Sequence, residues 1–195
     1  MNYLAHIFLS GNDTNLQIGN FIADFVKGKK LYSYPEKIQK GIILHRQIDE
    51  FTDNHPIVKE LNSLLYTTFG RYSPIILDMY FDYVLANSFS TYSKKKLLQF
   101  TLQFNLQLVQ HYTLLPERVK RFVFHFILTN RLYQYKSIRG LHDSLHIMSV
   151  HKSTAIQPVK SIDFLVENEE KISQHFHLFF TDVLQFVANK EVIRV

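Results

Sequence analysis

Three apolar stretches of this chain carry acidic or imidazole groups at spacings that can do chemistry. Residues 41–56 read GIILHRQIDEFTDNHP, with His45, Asp49 and Asp53 each four apart. On a helix these three share one face, with neighbouring Cβ atoms about 5–6 Å apart. Residues 74–86 read PIILDMYFDYVLA, where Asp78 and Asp82 repeat the spacing, and Asp24 sits in GNFIADFVKG. A carboxylate in an apolar run is costly to bury unless it is paired or binds a metal. Three such helices point to a metal site and to an enzyme. A His/carboxylate set without cysteine favours Mn, Mg, Fe or Zn over softer metals. Such a site activates water and neutralises charge on a phosphoryl group.

Each four-residue step turns an ideal helix by about 40°, so His45, Asp49 and Asp53 together span roughly 80°. His45 and Asp49 can reach one ion, while Asp53 serves a neighbouring ion or orients a ligand. Arg46 lies one residue off that face and is placed to meet a phosphate bidentately. Against this stands the ordinary reading of an isolated His-x3-Asp as a solvated polar stripe. That reading is weaker for Asp78 and Asp82, because no Lys or Arg lies between Arg71 and Lys94. A long-range pair with Arg46 remains their structural alternative. Asp24 is read as a ligand, a general base or a partner for Arg46. His6, in NYLAHIFL, reads on its own as a hydrogen-bonded core histidine. His125, His142, His146, His175 and His177 show no comparable convergence, since only Asp143 accompanies the His142–His146 pair.

The totals bound the class. With 195 residues, 46% of them hydrophobic, the chain supports one sizeable core, and 17 Phe and 11 Tyr favour a packed helical one. The absence of cysteine excludes disulfides and thiolate metal sites. No apolar stretch reaches bilayer length, and the N-terminal apolar run lacks a basic n-region, so a cytoplasmic protein without membrane association is expected. The net charge of +5 is unevenly spread. Residues 1–82 hold 8 Lys/Arg against 9 Asp/Glu, whereas residues 83–160 hold 11 against 2, a balance of +9. A basic face suits a polyanionic partner. Nucleic acid is disfavoured because the chain has no basic arm and no reading motif. No Walker loop, dinucleotide loop or nucleophile elbow is present.

The chain reads as helices almost throughout, because Gly and Pro are scarce and strand alternation is absent. Helices are expected over 15–27, from Pro35 to Thr52, to Phe69 after Pro56, and from Pro74 to Phe89. Further helices are expected over 94–111 behind a Ser93 cap, from Pro116 to Tyr135, over 137–150, and from a Ser161 cap to Asn189 after a 153–160 loop. Leu97, Phe100, Leu102 and Phe104 are assigned to the interior. The expectation is a single all-α domain over 1–195, monomeric or homodimeric.

MNYLAHIFLSG, GNFIADFVKGK, GIILHRQIDEFTDNHP and SPIILDMYFDYVLA, in this order and spacing, resemble the acyl carrier protein phosphodiesterases. The resemblance covers the first 90 residues well, the second half matching mainly in helical character. It implies a distorted HD-domain phosphohydrolase-like fold and removal of 4′-phosphopantetheine from holo-acyl carrier protein. It also implies a divalent metal, typically Mn2+, with Mg2+ or Fe2+ as alternatives. The family's polar positions fall on Asn2, His6, Asn20, Asp24, His45, Arg46, Asp49, Asp53, Asp78 and Asp82. Metal ligation is expected from His45 and Asp49 with one or more of Asp24, Asp78 and Asp82. Arg46 is expected to stabilise phosphoryl oxygens, Asp53 or Asp24 to orient water or move a proton, and His6 to support the site. Acyl carrier proteins are small and acidic, so docking is expected on Lys94, Lys95, Lys96, Arg118, Lys120, Arg121, Arg131 and Arg139. The rival readings are a phosphohydrolase of small diesters and a non-catalytic module for an acidic protein.

Overall fold

A computed structural model describes residues 1–190; residues 191–195, the end of the expected domain, lie outside it. The described chain is helical, with no strand among the described residues. Helices α1 (Tyr3–Leu9), α2 (Thr14–Ile22) and α3 (Glu36–Asn54) carry most of the chemistry-bearing residues. Asp13 caps α2 by accepting from Asn15 N and Leu16 N at 2.9 and 3.2 Å. The expected 15–27 helix gives way at Ile22 to two 3-10 turns, Ala23–Phe25 and Gly28–Ser33. Pro35 precedes α3, and Pro56 opens α4 (Pro56–Phe69), where its missing N–H costs nothing.

Helices α2 and α3 cross where Gly19 faces Gly41. A Cβ on Gly19 would overlap Ile38 O, and one on Gly41 would overlap Leu16 O. Only glycine permits this approach, which holds Asn20, next to Gly19, against His45, one turn beyond Gly41. Helix α5 (Ser73–Asn87) is apolar on nearly every side and threads the interior. Its Phe81 ring lies 5.3 Å from both Phe176 and Phe179 of the long last helix. Tyr80 donates its hydroxyl hydrogen to Ser161 O.

The second half comprises α6 (Phe89–Tyr92), α7 (Leu97–Gln110), α8 (Glu117–Leu128), α9 (Arg131–Gln134), α10 (Ile138–His151) and α11 (Pro158–Ala188). Several boundaries differ from the sequence reading. Helix α7 begins after Lys96, and Ser93 instead accepts from Lys95 N within the preceding turn. Leu102 is not interior: with Leu98, Leu106 and Val109 it forms an exposed stripe, while Leu97, Phe100 and Phe104 are buried. The expected 116–135 helix breaks at Asn130, which adopts φ 42°, a left-handed conformation asparagine tolerates. Ser161 does not cap α11. The helix starts at Pro158, and Ser161 Oγ donates back to Ile156 O at 2.6 Å. The buried side chains of all these helices form one contiguous apolar cluster. No helix among the described residues is long and apolar enough to cross a membrane.

Candidate metal centre

The one-turn spacing of His45 and Asp49 brings His45 Nε2 to 3.0 Å from Asp49 Oδ2. Asp49 Oδ1 lies 3.0 Å from His6 Nε2, so a single carboxylate bridges two imidazoles from different helices. The two rings stack with centroids 4.0 Å apart and planes 22° from parallel. Asp24 Oδ1 reaches the same His45 nitrogen at 3.4 Å from the exposed edge.

Helix α1 brings His6 here through a contact remote in sequence. Leu4 N and Ala5 N donate to Asp82 Oδ2 and Oδ1 at 2.8 and 3.0 Å. Asp82 is fully buried and caps α1 from α5, a role that engages both of its oxygens. Asp78, one turn earlier on α5, faces the Met1 amino group at 3.2 Å, with Asp49 Oδ1 3.6 Å from the same nitrogen. Asn2 Nδ2 donates to the Tyr135 hydroxyl at 3.2 Å, tying the start of α1 to the turn after α9.

Asn20 fixes the tautomer of His45. Its Nδ2 donates to His6 O at 3.0 Å and to Ser10 Oγ at 2.8 Å, so its Oδ1 must be the atom facing His45 Nδ1 at 2.9 Å. His45 Nδ1 is therefore the protonated donor, and Nε2 turns toward Asp24 and Asp49. A carbonyl on the far ring nitrogen is the usual support of a metal-ligating histidine.

Electrostatics separate the two rings. Burial opposes protonation of His45, but hydrogen bonds and charge from Asp24 and Asp49 outweigh it and hold its pKa up near 9. Burial and the neighbouring His45 charge push His6 down to about 4, against the pull of Asp49. Burial works to raise Asp49, yet His45, His6 and the Met1 amine hold it well below the usual carboxylate range. Asp82 is pushed up to about 7 by burial, against the pull of its two backbone donors.

His6, His45 and Asp49 offer ligand atoms that all lie within 4.8 Å of one another. Both nitrogens of the buried His6 ring lack an aligned hydrogen-bond partner, its Nε2 being close to Asp49 but off the donor line. Buried polar atoms are rarely left in that state. Two converging imidazole nitrogens beside an ionised carboxylate are a donor set that fits a borderline divalent cation.

Of the other expected site residues, Arg46 Nη2 donates to Val26 O at 2.9 Å, tying α3 to the segment after Asp24. Asp53 is exposed one turn beyond Asp49. Arg131 is half-buried, with Nη1 3.3 Å from Ser144 Oγ, and Lys120 pairs with Glu117 at 2.8 Å. Lys94, Lys95, Lys96, Arg118, Arg121 and Arg139 are exposed. The sequence reading gave no role to the Met1 amine, and no local pattern signals one.

An all-α core gathers two histidines and two aspartates from α1, the turn after α2, and α3 into a candidate metal centre. The chain belongs to the acyl carrier protein phosphodiesterase family, whose model matches residues 1–183. A protein named acyl carrier protein phosphodiesterase from Pectobacterium atrosepticum is 32% identical, over 92% of this chain and 90% of its own length. One of the same name from Escherichia coli is also 32% identical, over 95% and 93%. Another from Yersinia pestis is 27% identical, over 98% and 100%. No solved structure matches the chain.

Proposed function

We propose that this protein hydrolyses the phosphodiester that joins 4′-phosphopantetheine to the serine of holo-acyl carrier protein, releasing the apo carrier. The observation that carries this reading is the convergence of His6, His45 and Asp49 around one point, with His6 left without an aligned partner, in a chain of this family. His6, His45 and Asp49 would hold a divalent ion, most readily Mn2+, with Asp24 at its exposed edge and Asp78 behind Asp49. The ion supplies Lewis acidity toward the phosphoryl group and lowers the pKa of water.

The chain's own residues do the rest. Asn20 keeps His45 Nε2 turned to the centre. Asp24, exposed and within reach of His45, takes the proton of the attacking water and passes it to solvent. The water oxygen bonds to phosphorus, the bond to the serine oxygen breaks, and that oxygen takes up a proton. Arg46, exposed beside His45, meets the phosphoryl oxygens. Asp82 holds α1, and with it His6, in place.

Small-molecule thiol released from holo carrier in Mn2+ buffer, measured with a thiol reagent in the filtrate after the protein is removed by ultrafiltration, tests the reading. Thiol release by the wild type, abolished by Asp49→Ala, is expected. No release from the carrier, with turnover of small phosphodiesters, would assign the site to another substrate.

A further inference from the structure

The segment leaving the candidate centre is KGKKLYS, residues 27–33. It begins three residues after Asp24 and directly after Val26, whose carbonyl accepts from Arg46. Lys27, Lys29, Lys30 and Tyr32 are exposed, Tyr32 by 74%. None of the three lysines pairs with an acid among the described residues, and residues 25–35 contain no Asp or Glu. The 3-10 turn eclipses side chains three apart, so Lys29 aligns with Tyr32, and Lys27 is the extended residue that leads into the turn. Leu31 is buried in the core and pins the turn. These charges are therefore presented on an ordered scaffold, which reduces the entropic cost of engaging a partner.

Helix α8 extends this basic surface. Phe122 packs on Phe25, the residue after Asp24, with ring centroids 5.8 Å apart. Arg118 stands one turn from Phe122 on the same face, with Arg121 beside it, and both are exposed. The acids that follow the turn and open α8 in sequence are already matched, Glu36 with Lys40 at 2.9 Å and Glu117 with Lys120 at 2.8 Å. Lys27, Lys29, Lys30, Arg118 and Arg121 thus lie on the segment and the helix that meet at the Phe25–Phe122 contact, next to Asp24 in sequence. The even charge balance of residues 1–82 conceals this, because their acids, apart from the α2 cap Asp13, lie in the centre and on α3 to α5.

We propose that the 27–32 turn and the Arg118–Arg121 face of α8 form a basic collar that docks an acidic protein surface and presents its phosphodiester to the His/Asp centre. The inference rests on the phosphodiesterase reading for what the partner carries, and on charge complementarity for where it sits. The collar is too extended for one small phosphate. The turn alone spans about 12 Å at 2.0 Å per residue. An unpaired basic surface with an exposed aromatic matches a folded acidic partner.

The test compares Lys29→Glu/Lys30→Glu and Arg118→Glu/Arg121→Glu with a control, Lys152→Glu/Lys160→Glu, at the far corner between α10 and α11. Each is assayed on holo carrier and on bis(4-nitrophenyl) phosphate, and carrier binding is measured by calorimetry. Both collar variants are expected to raise KM for the carrier by about tenfold more than for the small diester, with a flattened salt dependence. The control is expected to stay near wild type. Equal effects on the two substrates, or an unchanged carrier KM, would overturn the collar. If the wild type binds carrier without cleaving it and the collar variants lose that binding, the docking surface stands while the phosphodiesterase reading falls. If the wild type does not bind carrier, or the collar variants lose binding only to anionic vesicles or DNA, the acidic-protein assignment is overturned.

Discussion

Metal-free protein is expected to lose stability as pH rises from 6.5 through 9, and His45 of the stacked pair is the reason. His45 has a pKa near 9 in the folded chain and 6.5 as its ordinary value. The fold therefore favours its protonated form. That contribution is fully present below pH 6.5 and is lost as pH rises through 9. Roughly 2.5 pH units at 1.36 kcal/mol each gives about 3 kcal/mol. His6 is shifted the other way, to about 4. The fold favours its neutral form, so its contribution is present above pH 6.5 and is lost as pH falls toward 4, again by about 3 kcal/mol, while Asp82, pushed up to about 7, acts in the opposite direction over that range. These sums are large beside a typical stability of about 5–15 kcal/mol. Urea unfolding in chelator at pH 4.5, 6.5 and 9.5 reads both limbs. His45→Gln should flatten the alkaline limb relative to wild type, and His6→Gln should raise stability at pH 4.5 relative to pH 6.5 when compared with wild type. A wild-type stability that is level from pH 6.5 to 9.5, or an alkaline limb kept in His45→Gln, would refute the ion-paired state of His45. A consequence follows for metal loading. The ion must displace the His45 Nε2 proton, so apparent affinity should rise about tenfold per pH unit below 9.

Other perturbations separate the roles within the site. Asp82→Ala leaves the buried N–H groups of Leu4 and Ala5 without acceptors. It should lower unfolding free energy by about 2–4 kcal/mol at pH 7, read as a lower urea midpoint. Asn20→Leu removes the acceptor from His45 Nδ1. It should weaken Mn2+ binding by about 10–100-fold in a metal titration while the far-UV circular dichroism keeps its helical signal. Gly41→Ala forces a Cβ onto Leu16 O and pushes α2 from α3. A loss of about 1–3 kcal/mol by thermal unfolding, with a fall in metal affinity, is expected; a neutral outcome would mean that the crossing is looser than described.

Much of this architecture is legible in the sequence because it is local. Apolar periodicity, scarce glycine, and prolines at helix starts give the helices. The one-turn spacing of His45 and Asp49 forecasts the 3.0 Å contact between them. What escapes is set by contacts remote in sequence. His6 reads as an ordinary core histidine because nothing near it shows that Asp82, some 76 residues on, caps its helix against the centre. Asp82 looks like a ligand for the same reason: an acidic residue in an apolar helix gives no sign that backbone N–H groups await it. The break at Asn130 carries no Pro or Gly to announce it. Leu102 has the right chemistry for the core but lies on the outer face of α7. The basic turn at 27–30 is hidden by averaging charge along the chain when the relevant grouping is spatial.

Metal-dependent removal of the prosthetic group is read from the intact mass of purified holo-acyl carrier protein after incubation with this protein. Four conditions suffice: Mn2+, chelator, chelator followed by excess Mn2+, and Asp49→Ala with Mn2+. The expected result is loss of the 4′-phosphopantetheine mass with Mn2+, none with chelator, recovery on re-addition, and none with Asp49→Ala. A holo mass unchanged in Mn2+, or one lost equally in chelator or with Asp49→Ala, would contradict it.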